Sequence, residues 1–214
     1  MNVDAVLLAW FAGSPRRAKT AADLGSGVGA VGLCLLFRDR VDYMVLAELD
    51  PDLSRLSKAN LKANGWSTRG EAVEIDVRTP DMIGTAAYDL VVCNPPYVEE
   101  GRGRPRAVAK GARIGKLAIF TDAARLLLRA RGRACFVYPA LELATLLETL
   151  RASGLEPKRL CLVHASDEQP ARVALVEAQP AKRGGLVVLP PFIERDAAGP
   201  TSRLRRLLGG RAEL

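Results

Sequence analysis

The chain has 214 residues, 49% hydrophobic and 26% charged, with a formal net charge of +7 at pH 7, values that suit one soluble domain with a sizeable core or one domain plus a small appendage. No apolar run approaches the roughly 20 residues needed to span a bilayer, and an acid rather than a cluster of cations precedes the first apolar stretch, the wrong order for a secretory signal. A single histidine, His164, leaves almost no material for a His-based metal site or catalytic triad.

In chain order, Asp4 to Phe11 reads as a short apolar helix packed on the domain. Thr20–Leu24 is a first strand that runs into glycine-rich sequence, and Ala30–Phe37 is an apolar helix. Tyr43–Ala47 is a second strand; a helix follows, with Asp50 as its N-cap, Pro51 at its first position and Asn64-Gly65 as its stop signal. Ala72–Ile75 is a third strand, and Tyr88–Cys93 a fourth, apolar enough to be buried on both faces. A helix over Lys116–Arg129, a strand over Ala134–Tyr138 and a helix over Leu141–Leu150 come next. Arg159–Val163 and Val173–Glu177 then form a strand pair around the turn-rich SDEQPAR.

Alternating strands and helices predict a doubly wound α/β fold, and the last two strands, with no room for a helix between them, predict an antiparallel hairpin. The expected architecture is Rossmann-like: a central seven-stranded, mostly parallel sheet with an antiparallel C-terminal hairpin and helices on both faces. That arrangement is similar to class I methyltransferases. The domain is expected over residues 1–180, with 181–214 as a C-terminal extension packed on its edge or partly mobile. Cys34, Cys93, Cys135 and Cys161 are widely spaced in apolar contexts, without a C-x-x-C pair, and read as reduced core residues of a cytoplasmic protein, not zinc ligands or disulfides. Trp10, Trp66, Tyr138 and His164 read as packing or structural residues.

Three consecutive strands end in or near an acid. Asp23 precedes Gly25-Ser26-Gly27-Val28-Gly29, where glycines let the backbone approach a ligand and turn into a helix N-terminus. Gly27-x-Gly29-x-x-Gly32 is also a literal dinucleotide fingerprint, but the strand ends two residues too early for it. Glu48 can accept both hydroxyls of a ribose, and Asp76 can accept an adenine amino group. All three belong to the carboxyl edge of the sheet, where ligands bind in such folds. Asn94-Pro95-Pro96-Tyr97 follows the fourth strand, beside the first. The lone pair of a planar amine is delocalised, so two acceptors on its N–H groups help it to pyramidalise; the Asn94 side-chain oxygen and the Pro95 carbonyl are placed to be those acceptors, with proline restricting the backbone and Tyr97 offering a face for stacking. The alternative for this stretch is a turn with a packed tyrosine. Catalysis there would rest on positioning and electrostatics.

Arg102, Arg104, Arg106, Lys110, Arg113 and Lys116 follow in a Gly- and Pro-broken loop, after Glu99 and Glu100. Such charge runs are usually solvated loops; the position next to the proposed site favours phosphates of a nucleic acid. Arg203, Arg205, Arg206 and Arg211 could extend the patch.

Together VDAVLLAWF, ADLGSGVGAVGL, AELDP, KANLKANG, IDVR, DLVVCNPPYVEEGRGR, LVHASDEQPARVALVEA and LPPFIERDAAG resemble the bacterial tRNA(Val) (adenine-37) N6-methyltransferases over nearly the whole chain. The resemblance implies S-adenosylmethionine as methyl donor, S-adenosylhomocysteine as product and no metal. It implies a tRNA partner, no membrane partner, and a monomer with a dimer as the alternative. It assigns Asp23, Gly25, Ser26, Gly27, Glu48, Asp76 and Asn94 to the cofactor, Asn94, Pro95, Pro96 and Tyr97 to the target amine, and Arg102, Arg104, Arg106, Lys110 and Arg113 to the nucleic acid. Relatives usually carry further sequence ahead of the VDAVLLA element, and their loop is less arginine-rich. Competing readings are N5-methylation of a protein glutamine, methylation of another RNA base or of DNA adenine, an inactive RNA-binding module, and a dinucleotide-dependent oxidoreductase.

Overall fold

A computed structural model describes residues 3–13, 16–95, 117–180 and 183–209. Seven long strands form the body of one sheet: β1 (Ala18–Leu24), β2 (Val41–Glu48), β3 (Gly70–Glu74), β4 (Tyr88–Cys93), β5 (Leu128–Pro139), β6 (Glu156–His164) and β7 (Ala171–Gln179). Their order is β3-β2-β1-β4-β5-β7-β6, with the first five parallel and β7 antiparallel to both its neighbours. The expected hairpin is therefore inserted so that its second strand lies next to β5.

Helices α1 (Val3–Ala12), α2 (Ala30–Phe37) and α3 (Pro51–Ala63) share one face with α6 (Ser202–Leu208); α4 (Leu117–Leu127) and α5 (Leu143–Ala152) cover the other. Along β1, β2 and β4, successive side chains enter opposite cores: Ala21, Met44, Leu46, Leu90 and Val92 face α1 and α2, while Ala22, Leu24, Val45, Ala47, Val91 and Cys93 face α4. That is why the central stretches Ala21–Ala22, Met44–Ala47 and Leu90–Cys93 are all apolar and show no alternation in sequence. Gly32 lets α2 lie close to β2, since a Cβ there would stand 2.4 Å from Leu46 Cδ2.

Some boundaries differ from the expectation. β5 begins at Leu128, six residues before the apolar run: Leu128 pairs with Tyr88, Arg133 with Leu90, and the intervening residues 129–132, Arg129 and Arg131 among them, form an irregularity between the two pairs. The helix after β5 begins with a 3₁₀ turn at Ala140–Glu142, and α5 proper starts at Leu143. The C-terminal segment adds two short strands that the sequence pattern did not reveal, β8 (Val187–Val188) and β9 (Phe192–Ile193), both parallel to β6, so the sheet has nine strands. β10 (Arg195–Asp196) and β11 (Gly199–Pro200) make a separate small hairpin before α6.

α1 runs against the parallel strands and is fastened at both ends by cations. Arg133 Nη2 donates to the carbonyls of Ala12 and Arg16 at 3.0 and 2.7 Å, and Arg159 Nη2 donates to that of Phe11 at 2.8 Å. These cations occupy the negative end of the helix, where carbonyls lack helical partners. Buried Glu177 lies between them, its Oε2 3.8 Å from Arg133 Nε and 3.4 Å from Arg159 Nε. At the other end Arg172 pairs with both Asp4 of α1 and Glu194 of the C-terminal segment, each at 2.6 Å. Trp10 and Phe192 meet edge to face at 5.2 Å, and the Arg203 guanidinium lies over both rings at 4.8 and 4.7 Å. Arg203 thus packs α6 onto α1, a use of its charge other than extending a nucleic-acid patch; Arg205 and Arg206 are exposed, and Arg211 lies outside the described residues.

Removing Glu177 leaves buried Arg133 and half-buried Arg159 without their shared carboxylate, so Glu177→Ala should lower stability by about 3 kcal/mol, read as a fall in the urea midpoint with an unchanged slope; an unshifted midpoint would show that the ion cluster contributes nothing.

Candidate active site

The parallel register aligns the ends of three strands. Leu24 pairs with Ala47 on one side and with Cys93 on the other, so Gly25, Glu48 and Asn94 leave the sheet at one level. Cys93 pairs in turn with Phe136 of β5. Chain positions as far apart as 25 and 94 become neighbours through this ladder alone.

The glycine loop is held by its backbone. The amides of Gly25 and Ser26 donate to the Ala47 carbonyl at 2.9 and 3.0 Å, and Gly29 N donates to the Ser26 carbonyl at 2.8 Å. Gly25, Gly27 and Gly29 have φ of +66°, +57° and +83°, left-handed values that explain the alternate glycines. Glu48, buried, accepts from Gly27 N at 2.7 Å through Oε2 and from Asp50 N at 3.0 Å through Oε1. On the far side of the loop, the Ser57 hydroxyl donates to the Gly27 carbonyl at 2.8 Å and the Asn60 amide to the Val28 carbonyl at 3.0 Å. Neither residue stands out in the sequence, where both read as polar positions of an ordinary helix.

Asp23 is 1% exposed, and its Oδ2 accepts from Gly32 N at 3.1 Å. The N-cap of α2 is Gly29, which has no side chain to cap with, so a carboxylate from β1 takes over the satisfaction of a first-turn amide. Burial raises the Asp23 carboxyl from 3.8 to about 7; the Gly32 hydrogen bond opposes the shift and the neighbouring Glu48 charge adds to it. Asp76 lies two residues beyond β3 and accepts from the backbone of Arg78 at 2.9 Å and from its guanidinium. The Arg78 hydrogen bonds hold its carboxyl below the ordinary value.

Two observations fit a ligand against this loop. The Ser26 hydroxyl oxygen is buried without a hydrogen-bond partner, and a Cβ placed on Gly27 would meet nothing within 4 Å. A Cβ on Gly25 would instead lie 3.4 Å from the Phe120 ring of α4, which brings an aromatic wall to the loop from 95 residues away. Asn94 is half-buried and Pro95 buried at the end of β4. Pro96, Tyr97, Arg102, Arg104, Arg106, Lys110, Arg113 and Lys116 lie outside the described residues. Among the described residues no group of three or more His, Cys, Asp or Glu is arranged to hold a metal ion, and no helix is long and apolar enough to cross a membrane. The cysteines are free thiols, three of them buried. His164 ends β6 with Nδ1 2.8 Å from the Gln169 carbonyl, bracing the SDEQPAR turn.

Residues 4–149 match the methyltransferase small domain family. A tRNA1(Val) (adenine(37)-N6)-methyltransferase from Tolumonas auensis is 31% identical over 166 residues, 75% of this chain and 68% of that protein. One of the same description from Actinobacillus pleuropneumoniae is 29% identical over 180 residues, 82% of this chain and 75% of that protein. Among solved structures, "a predicted O-methyltransferase" from Agrobacterium tumefaciens superposes with a TM-score of 0.81, covering 99% of this chain and 98% of that one at 22% identity, which supports the fold alone.

The buried Asp23 carboxyl couples folding to pH. Between about pH 4 and 7 the folded protein holds a proton that the unfolded chain has released, so this group's contribution is fully present below about pH 4 and is lost as pH rises through 7. Asp23→Asn keeps an acceptor for Gly32 N and removes the titration. The difference in thermal midpoint between variant and native protein should therefore move in the variant's favour from pH 5 to pH 8, at up to about 1.4 kcal/mol per pH unit; a pH-independent difference would refute the raised carboxyl.

Proposed function

The chain belongs to the methyltransferase small domain family, and from that footing we propose that this S-adenosylmethionine-dependent methyltransferase forms N6-methyladenine in tRNA, at the adenine beside the anticodon. The observation that carries the proposal is the register that sets Asn94 and Pro95 beside Gly25 and Glu48. The substrate class follows the printed activity of relatives that align over three quarters or more of this chain, and a net charge of +7 suits a polyanionic partner.

S-adenosylmethionine, when bound, supplies an electrophilic methyl group on a sulfonium. Gly25, Ser26 and Gly27 give it a backbone cradle and, at Ser26, an unused hydroxyl. Each Glu48 oxygen already accepts one backbone amide and keeps a second lone pair for a ribose hydroxyl. Asp23 is the acid assigned to the cofactor's amino-acid moiety, where an ammonium group beside it would favour the ionised carboxyl, and Asp76 offers an acceptor to the adenine amine. The Asn94 side-chain oxygen and the Pro95 carbonyl take the two N–H groups of the target amine, which directs its lone pair outward. Pro96 completes the motif, and Tyr97 supplies an aromatic side chain for stacking on the base. No general base is required, because the nitrogen's proton becomes acidic once alkylated. Arg102, Arg104, Arg106, Lys110 and Arg113 neutralise phosphates around the target. The catalytic domain spans residues 1–180, residues 181–214 form an extension, and the protein acts as a cytoplasmic monomer.

Labelled methyl transfer to total tRNA, total rRNA and a release-factor preparation, followed by nucleoside analysis, tests the reading: N6-methyladenosine in tRNA is expected, and label confined to protein overturns it in favour of glutamine methylation. Asn94→Ala should lower kcat by about 10²–10³-fold while S-adenosylhomocysteine binding stays within a few fold in calorimetry. A variant with native turnover would remove Asn94 from catalysis.

A further inference from the structure

Three of the five residues Gly25–Gly29 occupy left-handed backbone conformations, and glycine loses more freedom on ordering than any other residue. A loop of this composition that had to order on binding would lose affinity to that cost. The structure shows what orders it beforehand. Three residues apart on α3, Ser57 and Asn60 fall on one helix face and each donates to one of two consecutive loop carbonyls, Gly27 at 2.8 Å and Val28 at 3.0 Å.

Ser57 is the more unusual. A serine inside a helix commonly returns its hydroxyl to a carbonyl of the preceding turn; here the fully buried side chain donates across 30 residues to the loop instead. Gly29 leaves it room, since a Cβ there would lie 3.3 Å from the Ser57 oxygen and 2.8 Å from Leu46 Cδ1. Peptide planarity then sets the remaining polarity. In a trans peptide the N–H points opposite to the C=O, so tying the Gly27 carbonyl to Ser57 turns the Val28 amide away from α3. On the opposite side, Glu48 and the Ala47 carbonyl hold the amides of Gly25, Ser26 and Gly27. The loop is gripped by its amides from β2 and by its carbonyls from α3.

We infer that Ser57 and Asn60 are positioning residues for S-adenosylmethionine: they touch the loop and not the ligand, and they set cofactor affinity by holding the loop in its binding conformation. The inference rests on the assignment of the glycine loop to that cofactor. It separates the two substrates of the reaction, because a looser loop weakens the cofactor and leaves the amine-binding residues after β4 in place.

The test uses the full chain with Ser57→Ala, Asn60→Ala and Asn60→Asp, measuring the Kd for S-adenosylhomocysteine by calorimetry, KM for S-adenosylmethionine, kcat at saturating cofactor, and the thermal midpoint. Each alanine variant should weaken S-adenosylhomocysteine by about 5- to 15-fold, the scale of one hydrogen bond. KM should rise in parallel, with kcat held within about twofold. Asn60→Asp, which preserves size but presents a charge to the Val28 carbonyl, should weaken binding more than Asn60→Ala. Asn60 is only half-buried, so its variants keep the fold even if Ser57→Ala is unstable. Unchanged Kd in the Asn60 variants, or a loss confined to the thermal midpoint, would overturn the inference. Native protein that fails to bind S-adenosylhomocysteine would instead overturn the cofactor assignment, and the clamp with it.

Discussion

β1 lies between β2 and β4, and parallel ladders on both sides hold Leu24 level with Ala47 and Cys93. A slip of one residue would shift an end by about 3.3 Å and exchange the faces of every side chain on the strand. Both faces here are buried in separate cores, so neither core tolerates the exchange. The site inherits its precision from this constraint: a glycine loop, a glutamate and an asparagine emerge together because the apolar strands behind them can pair in only one register.

Charge is distributed with the same polarity. The carboxyl edge carries Asp23, Glu48 and Asp76, each engaged by a backbone amide. Where α1 ends, the sheet carries Arg133 and Arg159, which take its last carbonyls with Glu177 between them. Buried carboxylates and guanidinium groups are costly unless hydrogen-bonded. Asp23 takes an amide in the first turn of α2, and Arg133 and Arg159 take the last carbonyls of α1, groups that would otherwise be unsatisfied. Asp23 shows the principle most directly, since it caps a helix whose own N-cap position is a glycine. The C-terminal segment is tied in by side-chain contacts instead, through the Arg172–Glu194 ion pair and through Arg203 over the rings of Trp10 and Phe192.

What the sequence could say was what one segment says about itself. Apolar runs marked β1, β2 and β4; Asp50-Pro51 marked a helix start that the structure reproduces, with Asp50 accepting from Asp52 N and Leu53 N; and the family belonged to the motifs as a set. The start of β5 was hidden because Arg129 and Arg131 carry no strand-like pattern, and β8 and β9 because two residues are too few for a period to appear. Only the tertiary structure decided partners. Asp23 met Gly32, Gly27 met both Glu48 and Ser57, Val28 met Asn60, and Gly25 met Phe120. A serine at position 57 of a helix gives no local sign of where its hydroxyl points, since that direction depends on which loop the packing of α3 against β2 brings within reach. Periodicity is a property of a single element and is written in its residues; a hydrogen bond between elements is a property of the register and packing that join them, and exists only once the chain has folded.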